Sequence, residues 1–134
     1  MDRILIDTMH IAALLSDENE TYLELAKAIK NQKIIGVVSV VTLTELIKNL
    51  GIENKQKILD LTSTNLVFIN ITQKIAIQAG DLHLKYDIPT IDSIIAATCI
   101  VENIKHILTY DHRHFEPVKN IKIIDLKTAI TMAK

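Results

Sequence analysis

Arg3-Ile4-Leu5-Ile6 is a short apolar run that ends at an acid, Asp7, and runs of the same kind recur along the chain. They are Ile34 to Val38, Leu66-Val67-Phe68-Ile69, His106-Ile107-Leu108-Thr109 and Lys122-Ile123-Ile124. A strand with one face in water would alternate polar and apolar residues; these runs read instead as strands buried on both faces. The stretches between them have helical spacing. They predict helices over about Met9 to Leu15, Thr21 to Lys30, Ser39 (as cap) to Leu50, Glu53 to Leu61, Thr72 to Tyr86 and Ile91 to Asn103. Gly51 suits the end of the third helix, and Asp87-Ile88-Pro89 breaks the chain before Thr90, which can cap the next. An irregular loop is expected between the last two strands, and a weakly helical end. Buried strands separated by helices predict an α/β fold, a three-layer α/β/α domain around a central parallel sheet.

Composition narrows the rest. The 134 residues are 49% hydrophobic and contain 3 Gly and 2 Pro, so disorder and collagen-like structure are excluded. A chain of this length without a linker-like stretch is expected to form a single domain over residues 1–134. Fifteen Lys+Arg against 16 Asp+Glu leave a net charge of -1, so a polyanion is not captured by net field alone. Any nucleic-acid contact must come from a local patch or a metal. A lone cysteine, Cys99, and no leader-like start lead to the expectation of a cytoplasmic protein. No apolar stretch approaches the roughly 20 residues of a membrane span.

Two acids stand where an open parallel sheet keeps its chemistry, beyond the carboxyl ends of its strands. Asp7 follows the first strand and Asp111 follows the strand ending at Thr109. Taken singly, a helix cap explains Asp7 and an Asx turn explains Asp111. Asp92 sits in the helix from Ile91 to Val101, which is apolar nearly all round, so its carboxylate must be paired, hydrogen-bonded at the helix start or bound to a cation. Glu45 shares a helical side with Thr42 and Asn49, away from Leu43, Leu46, Ile47 and Leu50, and solvent exposure alone would account for it. If the three aspartates converge with Glu45 over them, their repulsion calls for a hard divalent cation. Oxygen ligands favour Mg²⁺ or Mn²⁺ over Zn²⁺, and such ions activate water against phosphodiesters.

Four segments in order, Ile4-Leu5-Ile6-Asp7-Thr8, Ser39-Val40-Val41-Thr42-Leu43-Thr44-Glu45-Leu46, Ile91-Asp92-Ser93-Ile94-Ile95-Ala96-Ala97-Thr98 and Leu108-Thr109-Tyr110-Asp111 with Phe115, resemble the PIN domain family. That family includes the VapC-type ribonuclease toxins of prokaryotic toxin-antitoxin pairs. The resemblance implies a metal-dependent endoribonuclease in which Asp7 and Asp92 are the principal metal ligands. Glu45 and Asp111 would complete the acidic pocket, and Thr109 matches the small hydroxyl residue two before the last acid. It further implies an RNA substrate, a cognate antitoxin and a homodimer. Met9 stands where the family commonly has Asn or Ser, a departure that touches one polar pocket contact and leaves the four carboxylates in place.

Outside the acids, Asp111-His112-Arg113-His114 is the one concentrated group of possible phosphate or metal contacts. His112 and His114 are expected to be solvent-exposed loop residues, with RNA backbone contacts from His112 or Arg113 as the alternative. Cys99 reads as a small core residue. The apolar residues Ile11, Ala12, Leu14 and Leu15 with Leu23 and Leu25 either fill the core or receive a partner helix. Two other classes remain open: an RNA-maturation nuclease of the same chemistry, and a non-catalytic or receiver-like α/β module. The latter fits less well, since Asp7 is followed by Thr8 and the strand at Leu66 to Ile69 ends at Asn70.

Overall fold

The computed structural model describes residues 1–16 and 19–134. Among them, the five apolar runs form β1 (Arg3–Ile6), β2 (Ile35–Ser39), β3 (Val67–Ile69), β4 (His106–Leu108) and β5 (Lys122–Ile124). The helices are α1 (Thr8–Ser16), α2 (Glu20–Lys30), α3 (Val41–Leu50), α4 (Lys55–Asp60), α5 (Gln73–Tyr86), α6 (Thr90–Val101), α7 (His112–Phe115) and α8 (Leu126–Met132). All strands pair in parallel, in the order β3-β2-β1-β4-β5.

The lack of polar alternation in the strands has its cause in two separate cores. Ile4 and Ile6 of β1, Val38, Leu108 and Ile124 pack with Ile11, Leu25, Leu46 and Ala129 from α1, α2, α3 and α8. Leu5, Val37 and Ile107 point the other way, onto Ile75 and Leu82 of α5, Ile95 and Cys99 of α6, and Phe115. Successive strand residues face opposite sides, so both sets must be apolar once helices cover both faces. Gly36 in β2 marks a close approach of layers: a Cβ there would lie 2.8 Å from the Leu66 side chain and 3.0 Å from that of Ile6. Arg3, at the start of β1, donates from Nη2 to the Glu102 carbonyl at 2.6 Å and so ties the central strand to the end of α6.

Several element ends differ from expectation, for local reasons. Thr90 is the first residue of α6 and Pro89 takes the cap position; Ser93 instead satisfies the carbonyls of Pro89 and Ile88 through its hydroxyl, at 2.9 and 3.2 Å. Ser39 ends β2, and Val40 occupies the cap of α3, with the Ser39 hydroxyl accepting from the Val41 amide at 3.3 Å. Gly51 closes α3 with φ 87°, a left-handed conformation in which glycine carries no steric cost. The helix expected from Glu53 to Leu61 is the shorter α4 between single 3-10 turns at Ile52–Asn54 and Leu61–Ser63. α6 stops at Val101, and Asn103 beyond it is left-handed. The loop between β4 and β5 contains the one-turn α7, and the weak C-terminal helix is α8, capped by Asp125. Among the described residues no helix is long and apolar enough to cross a membrane.

The strand order places a topological switch at β1. From β1 the chain moves outward through β2 and β3, then returns to the other side of β1 for β4 and β5. The crevice beyond the carboxyl ends of β1 and β4 is where such sheets hold ligands. A receiver module follows the flavodoxin-like order 2-1-3-4-5, so the receiver-like alternative is set aside by topology.

Candidate active site

Asp7 is delivered to this crevice by strand register. Ile6 pairs with Leu108, and the Asp7 amide donates to the Leu108 carbonyl at 3.0 Å, which sets Asp7 beside Thr109. The Asp7 side chain accepts two hydrogen bonds. Oδ1 accepts from the Thr8 amide at 2.8 Å at the start of α1, while Oδ2 accepts from the Thr109 hydroxyl at 2.6 Å. Thr109, itself buried, also accepts from the Asp111 amide at 3.0 Å, so one hydroxyl links the first acid to the backbone of the last.

Glu45 reaches the same place from α3. Thr42, one turn earlier, is buried, and its hydroxyl accepts from that of Thr8 at 3.4 Å, fixing α3 against the start of α1. Glu45, half-buried, and Asn49 on the same face of α3 therefore line the crevice. Asp92 comes from the first turn of α6, where the helix dipole favours an acid. Asp7, Glu45, Asp92, Thr109 and Asp111 line one cavity of about 380 Å³.

The acids burden one another. Burial raises the Asp7 pKa despite hydrogen bonds from Thr109 and Thr8, and the charges of Asp111 and Glu45 raise it further. Asp92 is pushed up to about 6, first by burial and then by the charges of Asp111 and Asp7. Asp111 goes the other way: burial would raise it, but hydrogen bonds from His114 and a proton shared from Asp92 hold it low. The carboxylates therefore compete for charge, a burden a bound cation would balance.

His114 departs from the expectation of a solvent-exposed loop histidine. It is half-buried, with Nδ1 2.6 Å from Asp111 Oδ2 and 3.0 Å from Asp92 Oδ2. The cause is α7: Asp111 caps this turn by accepting from the His114 amide at 3.1 Å, and the turn folds residue i+3 back over the cap. The Asp-x-x-His spacing carried that signal. Asp92, Asp111 and His114 each bring a possible ligand atom within 4.8 Å of the others, a group Asp7 borders through the shared cavity. His112 and Arg113 are exposed. Cys99 is wholly buried, its thiol pushed up to about 12 by burial and by the Asp7 charge, which leaves it inert. Of the apolar residues weighed as core or partner groove, Ile11 and Leu25 are core, Ala12, Leu14 and Leu15 pack against it, and Leu23 is 44% exposed.

Beside the acids stands a second constellation with no counterpart in the sequence expectations. His10 of α1 is 1% exposed, with Nδ1 2.7 Å from the Tyr22 hydroxyl. That hydroxyl lies 2.8 Å from the hydroxyl of Tyr110, the residue between Thr109 and Asp111. Burial lowers the His10 pKa to about 4, so the ring is neutral at pH 7.

Residues 4–120 match the family model described as PIN domain. The fold is shared with chains of solved structures. Against the VapBC2 complex of Rickettsia felis bound to a DNA fragment from its promoter, the TM-score is 0.75 at 19% identity, covering 92% of this chain and 98% of the other. Against DNA-bound VapBC of Salmonella typhimurium it is 0.75 at 20% identity, covering 94% and 99%. Against VapC20 of Mycobacterium tuberculosis, a toxin that cleaves the sarcin-ricin loop, it is 0.65 at 17% identity, covering 85% and 94%. No curated protein sequence matches.

Proposed function

The chain belongs to the PIN domain family, and from that premise we propose that it is a metal-dependent endoribonuclease, the toxin of a type II toxin-antitoxin pair. One observation carries the reading: four carboxylates from four separate elements line a single cavity at the sheet's switch point, and burial with mutual repulsion raises the pKa values of Asp7 and Asp92. Such an arrangement is stable at neutral pH when a cation balances it.

The donor set fits a hard divalent ion, since the carboxylates offer oxygen throughout. Asp7 and Asp92 would hold Mg²⁺ or Mn²⁺, with Asp111 beside them, and the ion would supply positive charge to a water nucleophile and to the scissile phosphate. The chain's own groups do the rest. Thr109 Oγ1 donates to Asp7 Oδ2 and keeps that carboxylate oriented into the cavity. His114 donates from Nδ1 to Asp111 Oδ2 and keeps that acid ionised. Glu45, whose contact with the exposed Lys48 is a loose 3.9 Å, is free to position the attacking water and take its proton. His112 and Arg113, both exposed, would contact RNA phosphates.

The neighbours solved as VapBC complexes support an antitoxin partner, and the family resemblance supports a homodimer. Work on cellular RNA would place the protein, as one unit of residues 1–134, in the cytoplasm. Purified protein is expected to cut single-stranded or looped RNA when Mg²⁺ or Mn²⁺ is present and to stop in excess chelator. D7N or D92N is expected to abolish cutting while the fold, read by circular dichroism, persists. Cleavage unchanged in either variant, or undiminished by chelator, contradicts the proposal.

A further inference from the structure

Tyr110 is the one aromatic side chain among the described residues that is exposed, at 65%, and it lines the acidic cavity. An exposed aromatic is ordinarily a mobile one; this ring is held. One face lies on the buried His10 ring, with centroids 4.1 Å apart and planes 20° from parallel. Its hydroxyl is tied to that of buried Tyr22 at 2.8 Å. Two helices, α1 and α2, thus fix one ring with its polar end turned inward and its second face open. Met9, 59% exposed, is the other large apolar side chain that lines the cavity and faces solvent.

Electrostatics gives this ring a task. The cavity is lined by four acids and the chain's net charge is -1, so beyond a bound cation and the exposed His112 and Arg113 the chain's own field adds little attraction for phosphates. Contacts indifferent to charge must contribute. A base stacked on an aromatic face is such a contact, and every base has a face to offer. A ring already locked in place loses little entropy when it is covered.

We infer that Tyr110 is a stacking platform for an unpaired base of the RNA next to the cut bond, with His10 and Tyr22 as the positioning residues that hold the ring flat. The inference rests on the ribonuclease reading above. It assigns the enzyme to single-stranded or looped substrate by a physical cause, since a base within a duplex has no free face to lay on Tyr110.

The test uses a fluorescein-labelled single-stranded oligouridylate carrying 5-iodouridine. Irradiated with the full-length protein in excess chelator, it is expected to crosslink to the peptide containing Tyr110. Y110L is expected to lose that crosslink and to raise KM for the same oligonucleotide by about 5- to 150-fold with little change in kcat, the range for single stacked bases. Y110F keeps the face and is expected to retain the crosslink and most of the binding, while H10A, which removes the backing ring, falls between. Crosslinks mapping elsewhere, or Y110L with wild-type KM in an enzyme that cuts in a metal-dependent way, overturn the platform and leave the nuclease standing. Wild-type protein that cuts no RNA with either metal overturns the nuclease reading and the platform with it.

Discussion

At the scale of single residues, Asp92 and Thr109 lend themselves to clean tests. In the metal-free protein the Asp92 pKa is raised to about 6 from an ordinary value of 3.8, so the folded state holds its proton more tightly than the unfolded chain. Its ionisation therefore destabilises the fold fully above pH 6, and the cost fades as pH falls from about 6 to about 4. His10 has the opposite sign: with its pKa lowered to about 4 from 6.5, it withdraws stability as pH falls through the same window. The wild-type profile blends the two, but the difference between wild type and D92N isolates Asp92. Without metal, D92N is expected to melt a few degrees higher than wild type at pH 7, about 4 °C for each kcal/mol relieved, and to match it near pH 4. Equal melting temperatures at pH 7 would show that Asp92 carries no such burden. Thr109 bridges Asp7 and the Asp111 backbone from a buried position, so T109V should cost about 1.5–3 kcal/mol in urea unfolding, the range for hydrogen bonds to charged groups, and T109S should restore most of it.

At the scale of elements, α7 shows how much one anchor decides. This single turn carries three exposed or half-exposed residues, His112, Arg113 and His114, and is held by Phe115, which is fully buried against the α5 and α6 side of the sheet. Removing the ring should cost about 3–5 kcal/mol. F115A is therefore expected to lower the urea midpoint sharply, and F115L much less; an F115A protein of wild-type stability would mean α7 is not anchored as described. Elements like this are also where sequence and structure part. The five strands were legible because burial on both faces demands unbroken apolar runs, and α5 and α6 because their length gives the helical period room to show. α7 has four residues and one apolar side chain, too few for periodicity to register, so its stretch reads as loop. The caps expected at Thr90 and Ser39 lie one residue away, since Pro89 and Val40 take those positions, and the Ser93 and Ser39 hydroxyls satisfy backbone groups in ways that no cap preference encodes.

At the scale of the molecule, the switch point explains why four distant acids could be suspected together at all. Asp7 and Asp111 follow adjacent parallel strands, so the topology alone brings them to one crevice. Asp92 stood out for its apolar helix. Glu45 was weakest, because its side of α3 looks solvated until the cavity beside it is seen. What no pattern revealed was Tyr110 backed by His10 and Tyr22, contacts made across 88 to 100 residues by packing that sequence spacing cannot express. The most direct measurement is anomalous scattering from a crystal of the protein soaked in Mn²⁺. The expected result is a strong peak inside the cavity, in contact with oxygens of Asp7 and Asp92, that vanishes in D92N; a peak bound only elsewhere on the surface, or no peak at all, would contradict the account.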